Sequence, residues 1–194
     1  MEMQKWQKLL KILEVTINYQ PGILTEVELS RVETEMHLIL PADYKGFCQI
    51  FGSGIFGDFI AIRCPSSDLF SRSNLATKSI KEQIREYPSK NHEWDRELES
   101  LLDSALMFGH DDRGNILFWD LRSYKESDRS YDIYWAKVDE FDDNIYKIGR
   151  SFFDFVCDFC LGMKAFELLP EELWPLPKDI GLKFTSYSRR YALS

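Results

Sequence analysis

Three short stretches of the sequence carry residue types that could do chemistry. The first, FGSGIFGDF, spaces Gly52, Gly54 and Gly57 as G-x-G-x-x-G, the pattern of loops that hold the phosphates of dinucleotides and of ATP. A dinucleotide-binding loop of this kind follows a strand and precedes a helix, whose N-terminus faces the phosphates. Here a helical pattern precedes the glycines and a strand pattern, DFIAIRC, follows them. The sequence therefore predicts a glycine turn from helix to strand, and no cofactor.

The second stretch is CDFC, in which Cys157 and Cys160 have the spacing of redox-active and zinc-binding pairs. A redox site places its cysteines at a helix N-terminus, where the dipole stabilises the thiolate. Here both cysteines fall inside the apolar stripe of a helix that is predicted to begin at Ser151. A zinc site needs about four ligands, and the remaining cysteines and histidines form no second close pair. The prediction is reduced, structural thiols and no metal site.

The third stretch is HDDRGN. His110 beside Asp111 and Asp112 could act in acid–base chemistry. As a calcium loop the stretch fails, because Gly114 is misplaced for an EF-hand and the final Glu is missing. The flanking ALMFG and NILFWD are strand patterns, so the stretch is predicted to be the polar tip of a hairpin, with Gly114 at positive φ. No catalytic residues are predicted, and an enzyme that uses His110 with the two aspartates is kept as an alternative.

Two other stretches place acidic residues around an aromatic side chain. HEWDRELESLLD surrounds Trp94 with carboxylates that are expected at the surface, and DEFDD does the same for Phe141. Aromatic residues often anchor protein interfaces, and carboxylates around them would steer a basic partner. A solvated helix face and a polar turn are the alternative explanation. The predicted partner-binding residues are Glu93, Trp94, Glu97, Asp139, Glu140, Phe141, Asp142 and Asp143.

The overall charge permits a basic partner, and plain solubility is the alternative explanation for it. The 194 residues include 24 Lys and Arg against 32 Asp and Glu, a net charge of −8. Such a balance argues against direct nucleic-acid binding, which depends on cationic contacts to phosphates. Charged residues interrupt any apolar run after Met1, and the longest uncharged stretch, Gly46 to Gly57, is too short to span a bilayer. We therefore expect a cytoplasmic protein that does not bind membranes.

The pattern along the chain predicts both helices and strands. MQKWQKLLKILEVTI has helical apolar spacing as far as Ile17, and Thr25 with Glu28 forms a capping box that begins a second helix. PADYKGFCQIF is predicted to be a third helix, two more helices lie between Ser73 and Ala105, and the strands cluster between Asp58 and Ile148. GLKFTSY is predicted to be a last edge strand. The predicted core contains Leu40, Tyr44, Phe47, Phe51, Ile60, Leu117, Trp119, Trp135, Phe152 and Phe155.

An ordered set of motifs from Glu28 to Phe155 resembles the SUKH superfamily, which includes fungal cell-wall-assembly regulators and bacterial toxin-immunity proteins. The motifs are VETEMHLILPADYKGFCQIFGSGIFG, DFIAI, LMFGHDDRGNILFWD with its terminal Asp120, YWAKV and SFFDFV. The sequence departs from a minimal member in a longer segment from Ser66 to Ser104, in Cys48 where Leu is more usual, and in a tail after Glu167.

The resemblance implies a single α+β domain, with a mainly antiparallel sheet flanked by N-terminal helices and a C-terminal helix. Residues 1–166 would form this domain around a recognisable core of 28–155, and residues 167–194 would be an extension packed on it. The implied function is non-enzymatic: an immunity-type protein that neutralises a cognate toxin domain, often a nuclease, by occlusion. The alternative is a cytosolic scaffold or regulatory module. The acidic excess fits a basic toxin encoded nearby.

Overall fold

The protein is built on one large sheet with helices packed against it. A computed structural model describes residues 2–17, 22–88, 92–137 and 145–186. In those ranges the strands are β1 Glu14–Ile17, β2 Gly54–Phe56, β3 Ile60–Ile62, β4 Ala105–Asp111, β5 Ile116–Lys125, β6 Ser130–Ala136, β7 Ile145–Gly149 and β8 Lys183–Ser186. The helices are α1 Glu2–Ile12, α2 Glu26–Met36, α3 Ala42–Ile50, α4 Ser67–Glu86, α5 His92–Leu102, α6 Phe152–Asp154 and α7 Lys164–Leu168. A π-helix, Phe155–Cys160, continues α6, and a 3-10 turn spans Glu171–Leu173.

The sheet has the order β1-β8-β2-β3-β4-β5-β6-β7. Strands β1 and β8 are parallel, and the other neighbouring pairs are antiparallel. With helices from both ends of the chain packed on this one sheet, the predicted α+β class and the single domain are confirmed.

Strand β8 is not the edge strand that the pattern GLKFTSY predicts, because it pairs with β1 on one side and with β2 on the other. Its Phe184 is buried, with ring centroids 4.9 Å from Phe56 and 5.0 Å from Phe51. Alternating polarity predicts a strand but carries no information on its neighbours. Burial of Phe184 in the core places β8 inside the sheet.

The first helix ends earlier than its apolar spacing predicts. Helix α1 stops at Ile12, and Val15, Thr16 and Ile17 belong to β1. The prediction of a helix to Ile17 is wrong because these β-branched side chains are restricted in helices and fit the pleat of a strand. The switch is fixed where the backbone N–H of Glu14 donates to the carbonyl of Leu182, at 2.8 Å.

One face of the sheet carries an aromatic core beneath α1, α3 and α6. All ten predicted core residues are buried, none more than 3% exposed. The ring of Tyr44 meets those of Trp119 and Phe152 edge-on, with centroids 4.7 and 5.0 Å away. Phe108 stacks on Trp119 with a centroid separation of 4.2 Å. These rings hold α3 and α6 on the central strands.

The opposite face is covered by α4 and α5, which come from the long segment between Ser66 and Ser104. The buried side chains that rest on the outer face of β4 to β6 are aliphatic, whereas Phe70 of α4 packs in the aromatic core. The cluster comprises Ile80, Ile84, Leu98, Leu102, Met107, Phe118 and Ala136. The segment between Ser66 and Ser104 therefore closes a second, smaller core.

The glycine stretch forms a turn, as predicted. Gly52 and Gly57 have φ values of 71° and 61°, the left-handed region that glycine adopts most readily. A Cβ on Gly57 would lie 2.1 Å from the carbonyl oxygen of Asp179, so a side chain is also excluded there by space. Gly54 lies within the short strand β2, which the sequence does not predict.

Candidate partner-binding surface

Helix α5 carries the first predicted partner-binding stretch and packs against the sheet and α4. Leu98 and Leu102 face the sheet and are buried. Arg85 of α4 makes a two-pronged ion pair with Glu99, its Nε at 2.9 Å from Oε1 and its Nη2 at 3.2 Å from Oε2. The remaining side of α5 therefore faces solvent, where Arg96, Glu97 and Ser100 are exposed.

The acidic residues of α5 and the turn after it have different surroundings. Glu97 is exposed. Glu99 is paired with Arg85, and Asp103 is paired with Lys81. Asp95 is only 8% exposed, so the expectation that it lies on the surface is wrong. It is three residues before Leu98 and seven before Leu102, which places it on the buried side of the helix.

The other predicted partner-binding residues are only partly placed. Positions 93 and 94, Glu93 and Trp94 in the sequence, lie within α5. The stretch from Asp139 to Asp143 lies outside the described residues. The eight-residue set stays a prediction, with Glu97 as the member whose exposed side chain the structure describes.

A groove of about 750 Å³ runs between α5 and the outer face of β5 to β7. Glu97 stands at this groove, and the sequence reasoning identifies none of the other lining residues as functional. Those that carry polar groups are Arg96, Ser100, Asp120, Arg122 and Tyr134. Because they come from α5, β5 and β6, only the folded sheet brings them together.

Three polar residues of the groove, Ser100, Asp120 and Arg122, form a connected network. Arg122 donates from Nε to Asp120 Oδ1 at 3.1 Å and from Nη1 to Ser100 Oγ at 2.8 Å. The Ser104 hydroxyl donates to the same Asp120 oxygen at 2.6 Å. Burial acts to raise the pKa of Asp120, but the hydrogen bonds from Arg122 and Ser104 outweigh it, and the pKa lies below its usual value. The groove thus carries both positive and negative groups, with Glu97 among its lining residues.

The HDDRGN stretch is a structural hairpin tip. Asp111 is 2% exposed and accepts hydrogen bonds from the backbone N–H groups of Arg113 and Asn115, at 3.0 and 2.8 Å. Its second oxygen accepts from the side chain of Asn115 and from Trp135 Nε1, at 2.7 and 3.1 Å. Gly114 has φ 86°, as predicted. Asp111 therefore joins the turn to the core, and all of these interactions stabilise the fold.

The CDFC stretch lies in the π-helix that continues α6. Cys160 is buried and Cys157 half-buried, and neither is in a disulfide. Burial, with the nearby Asp158 and Asp154, raises the pKa of Cys157 to about 11, and burial also raises that of Cys160. Both thiols are therefore protonated at neutral pH, unlike the thiolates of redox sites.

Among the residues that the structure describes, no group of three or more His, Cys, Asp and Glu side chains is arranged to hold a metal ion. No helix formed by the described residues combines the length and the apolar character needed to cross a membrane.

Comparison with known protein families identifies the family of this chain. The family model described as SMI1 / KNR4 family (SUKH-1) matches residues 23–158, a range that begins before α2 and ends in the π-helix. No curated protein and no solved structure matches the chain. The family match covers more than half of the 194 residues and includes the whole set of motifs between Glu28 and Phe155. The chain therefore belongs to the SMI1/KNR4 family (SUKH-1).

Proposed function

We propose that this protein is a non-enzymatic, cytoplasmic immunity-type protein that binds a cognate toxin domain and neutralises it by occlusion. Membership of the SMI1/KNR4 family fits an immunity-type or regulatory protein, and the family match over residues 23–158 is the observation that carries the proposal. Occlusion requires a rigid surface of suitable shape and charge, and no reacting group.

Charge supports a basic partner. The chain has a net charge of −8, and Glu97 projects from α5 at the margin of the groove. A nuclease must hold nucleic acid in a positively charged cleft, so an acidic protein is suited to cover it. We place the toxin on the outer side of α5 and include in the interface the eight residues predicted from the sequence, from Glu93 to Asp143.

The decisive experiment uses the native locus. Each neighbouring open reading frame is expressed with and without this protein while growth is recorded. We expect one neighbour to stop growth only when this protein is absent, and the two products to purify as a complex. If no neighbour is toxic, the immunity function is rejected.

Charge reversal tests where the toxin binds. Replacing Glu97, Asp142 and Asp143 by Lys should slow association roughly tenfold or more at low ionic strength and weaken its salt dependence, because steering by surface charge is lost. Stopped-flow association at several salt concentrations measures both effects. Unchanged binding would remove these residues from the interface without bearing on the locus experiment.

The matched control reverses three exposed acidic residues elsewhere, Glu14, Glu126 and Glu171. It changes the net charge equally, so a loss confined to the first variant separates local steering from the overall charge. Equal losses in the two variants would show that only net charge matters.

The runner-up is a cytosolic scaffold or regulatory module that recruits several proteins. The mixed charges of the groove, where Arg96 and Arg122 lie beside Asp120 and Glu97, are the observation that favours it, since they do not select for a basic partner alone. A pull-down from cytosol separates the two functions. Several partners of moderate affinity indicate a scaffold, whereas one tight partner from the same locus indicates immunity.

A further inference from the structure

Cys48 and Cys64, which no short sequence motif connects, meet beside helix α3. Cys48 belongs to α3 and is fully buried, whereas Cys64 lies between β3 and α4 and is half-buried. Both are free cysteines, and the thiol of Cys48 is in hydrogen-bonding contact with that of Cys64. The fold therefore creates a second cysteine pair, separate from the CDFC stretch.

Two hydrogen bonds hold the backbone around Cys64 against α3 and the turn that follows it. The Tyr44 hydroxyl donates to the carbonyl of Arg63, and it also contacts the Cys48 thiol. The backbone N–H of Cys64 donates to the Ser53 hydroxyl at 2.8 Å. Tyr44 precedes Cys48 on the same face of α3, and Ser53 follows soon after the helix ends. Cys64 is thus held close to Cys48 by contacts on both sides of it.

The two cysteines differ in their access to solvent. Cys64 keeps exposed surface and lies in the irregular connection 63–66, so a small oxidant can reach it from solvent. Cys48 is 0% exposed, and burial raises the pKa of its thiol well above the ordinary value. An oxidant therefore reacts with Cys64 first, and the Cys48 thiol in contact with it can react with the product. Redox-sensing sites often pair an accessible cysteine with a second, resolving cysteine in this way.

Cys157 of the CDFC stretch provides an internal comparison for Cys64. Both are half-buried. Burial, with the charges of Asp158 and Asp154, raises the pKa of the Cys157 thiol to about 11. The thiolate is the reactive form of cysteine, and these carboxylates disfavour it. We therefore expect Cys157 to react slowly with oxidants although its exposure is similar.

We propose that Cys48 and Cys64 are a peroxide-reactive pair that forms an intramolecular disulfide. The Cys64 sulfur attacks one oxygen of hydrogen peroxide, the O–O bond breaks, and the released hydroxide takes the thiol proton and leaves as water. Cys64 is thereby oxidised to a sulfenic acid while the peroxide is reduced. The Cys48 sulfur then attacks the Cys64 sulfur, the S–O bond breaks, and the hydroxide leaves with the Cys48 proton as a second water. Two thiols and one peroxide give one disulfide and two waters.

The disulfide would join the aromatic core to the start of the helix that covers the opposite face of the sheet. Cys48 packs in that core, and α4 begins at Ser67, shortly after Cys64. Disulfides in reducing compartments are usually transient and redox-sensing, so a reversible bond of this kind agrees with the proposed cytoplasmic location. The proposal does not depend on the proposed immunity function.

Peptide mapping tests the pairing directly. The full-length protein is treated with hydrogen peroxide, the remaining thiols are alkylated in denaturant, and the chain is digested with trypsin for mass spectrometry. Cleavage after Arg63 places Cys48 in peptide 46–63 and Cys64 in peptide 64–72, so their disulfide appears as a linked pair of peptides. Cys157 and Cys160 both lie in peptide 151–164, where a disulfide would be internal.

We expect the linked peptides to exceed the internal disulfide of peptide 151–164 by roughly tenfold or more, because the Cys48 and Cys64 thiols are already in contact. Dithiothreitol should return both linked peptides to the alkylated form. The preference should be lost in urea that unfolds the protein. Absence of the linked peptides, an equal yield of the Cys157–Cys160 disulfide, or a preference that persists in urea would overturn the proposal.

Substitutions test the order of the two steps. Cys64→Ser should abolish the linked peptides, whereas Cys157→Ser, at the half-buried cysteine elsewhere, should leave their yield within about twofold. Cys48→Ala removes the resolving thiol, so dimedone, which reacts with sulfenic acids, should label Cys64 roughly tenfold or more above its labelling in the unsubstituted protein. Equal labelling in the two proteins would mean that Cys48 does not resolve the sulfenic acid, and the proposal would fail.

Cys64→Ser keeps the test decisive if Cys48→Ala fails to fold. It replaces a half-buried thiol with a hydroxyl of similar shape, away from the fully buried position of Cys48. If peroxide oxidises Cys48 equally in folded Cys64→Ser protein and in the unsubstituted protein, Cys64 is not the first site of reaction and the proposal is rejected.

Discussion

The two faces of the sheet are filled in different ways. One face is packed with large rings, such as Tyr44, Trp119 and Phe152, all within the segment that matches the family. The other is covered by α4 and α5, whose buried contacts are mainly aliphatic and come from the segment 66–104. The α5 groove lies on this second face. One face thus holds the aromatic core, while the other holds the smaller core and the groove.

Removing a ring from the first face should have the largest effect. Phe152 is fully buried, and its centroid lies 5.0 Å from that of Tyr44 and 5.5 Å from that of Phe108. Phe152→Ala should lower the free energy of unfolding by about 3–5 kcal/mol, because it removes apolar burial and leaves a cavity. Urea denaturation should show a lower midpoint with an unchanged slope. A loss below about 1 kcal/mol would show that this face is not the main source of stability.

A truncation on the second face should cost less and act more locally. Leu98 is 3% exposed and joins α5 to the smaller cluster. Leu98→Ala should lower the free energy of unfolding by about 2–3 kcal/mol, because it removes fewer buried atoms than the truncation of a phenylalanine. Hydrogen exchange should accelerate mainly in α4 and α5. Equal acceleration in the strands that carry Trp119 would contradict the separation of the two faces.

The smallest effect should come from an ion pair at the β5–β6 turn. A hydrogen bond from Arg150, whose Nε lies 2.8 Å from Asp128 Oδ2, lowers the pKa of Asp128 to about 2 against an ordinary value of 3.8. A lowered pKa contributes stability that is present above the ordinary value and is lost as the pH falls from about 4 to about 2. Because the Asp128 side chain is 44% exposed, solvent screening limits the contribution to about 0–1 kcal/mol.

Asp128→Asn should therefore flatten the acid side of the stability curve measured by thermal unfolding between about pH 2 and pH 5. Asp112 provides a control of opposite sign, since burial and the charge of Asp111 raise its pKa. Asp112→Asn should leave stability at neutral pH unchanged or slightly higher. An unchanged acid side in Asp128→Asn would show that the ion pair with Arg150 does not contribute.

Local signals in the sequence predict local structure well. Thr25 and Glu28 form both bonds of the predicted capping box, at 3.2 Å for Glu28 N to Thr25 Oγ1 and 2.8 Å for Thr25 N to Glu28 Oε2. The hairpin glycine, Gly114, has the positive φ that its position requires. In each case the residues that determine the structure are close together in the sequence. The local sequence pattern is therefore sufficient to predict it.

Features that depend on distant neighbours are not predictable in this way. Arg122 of β5 and Ser100 of α5 meet only because α5 folds over the sheet, which brings Arg122 Nη1 to 2.8 Å from Ser100 Oγ. Asp95 is different, because its helical spacing with Leu98 and Leu102 could have indicated burial. The charge of Asp95 predicts a surface position, whereas its helical periodicity predicts burial. The structure agrees with the periodicity.

The position of β8 has a consequence for how the nascent chain completes its fold. β1 emerges from the ribosome first and β8 last among the described strands, yet β8 is the only described strand that joins β1 to the rest of the sheet. Until β8 arrives, β1 has no partner and β2 presents a free edge, the kind of edge that recruits strands from other chains. Pairing of β8 with β1 and β2 is slow, because β8 is far from both strands in the sequence. We therefore expect a chain whose translation stalls before Lys183 to leave the edges of β1 and β2 unpaired. These edges could then pair with strands of other chains and cause aggregation.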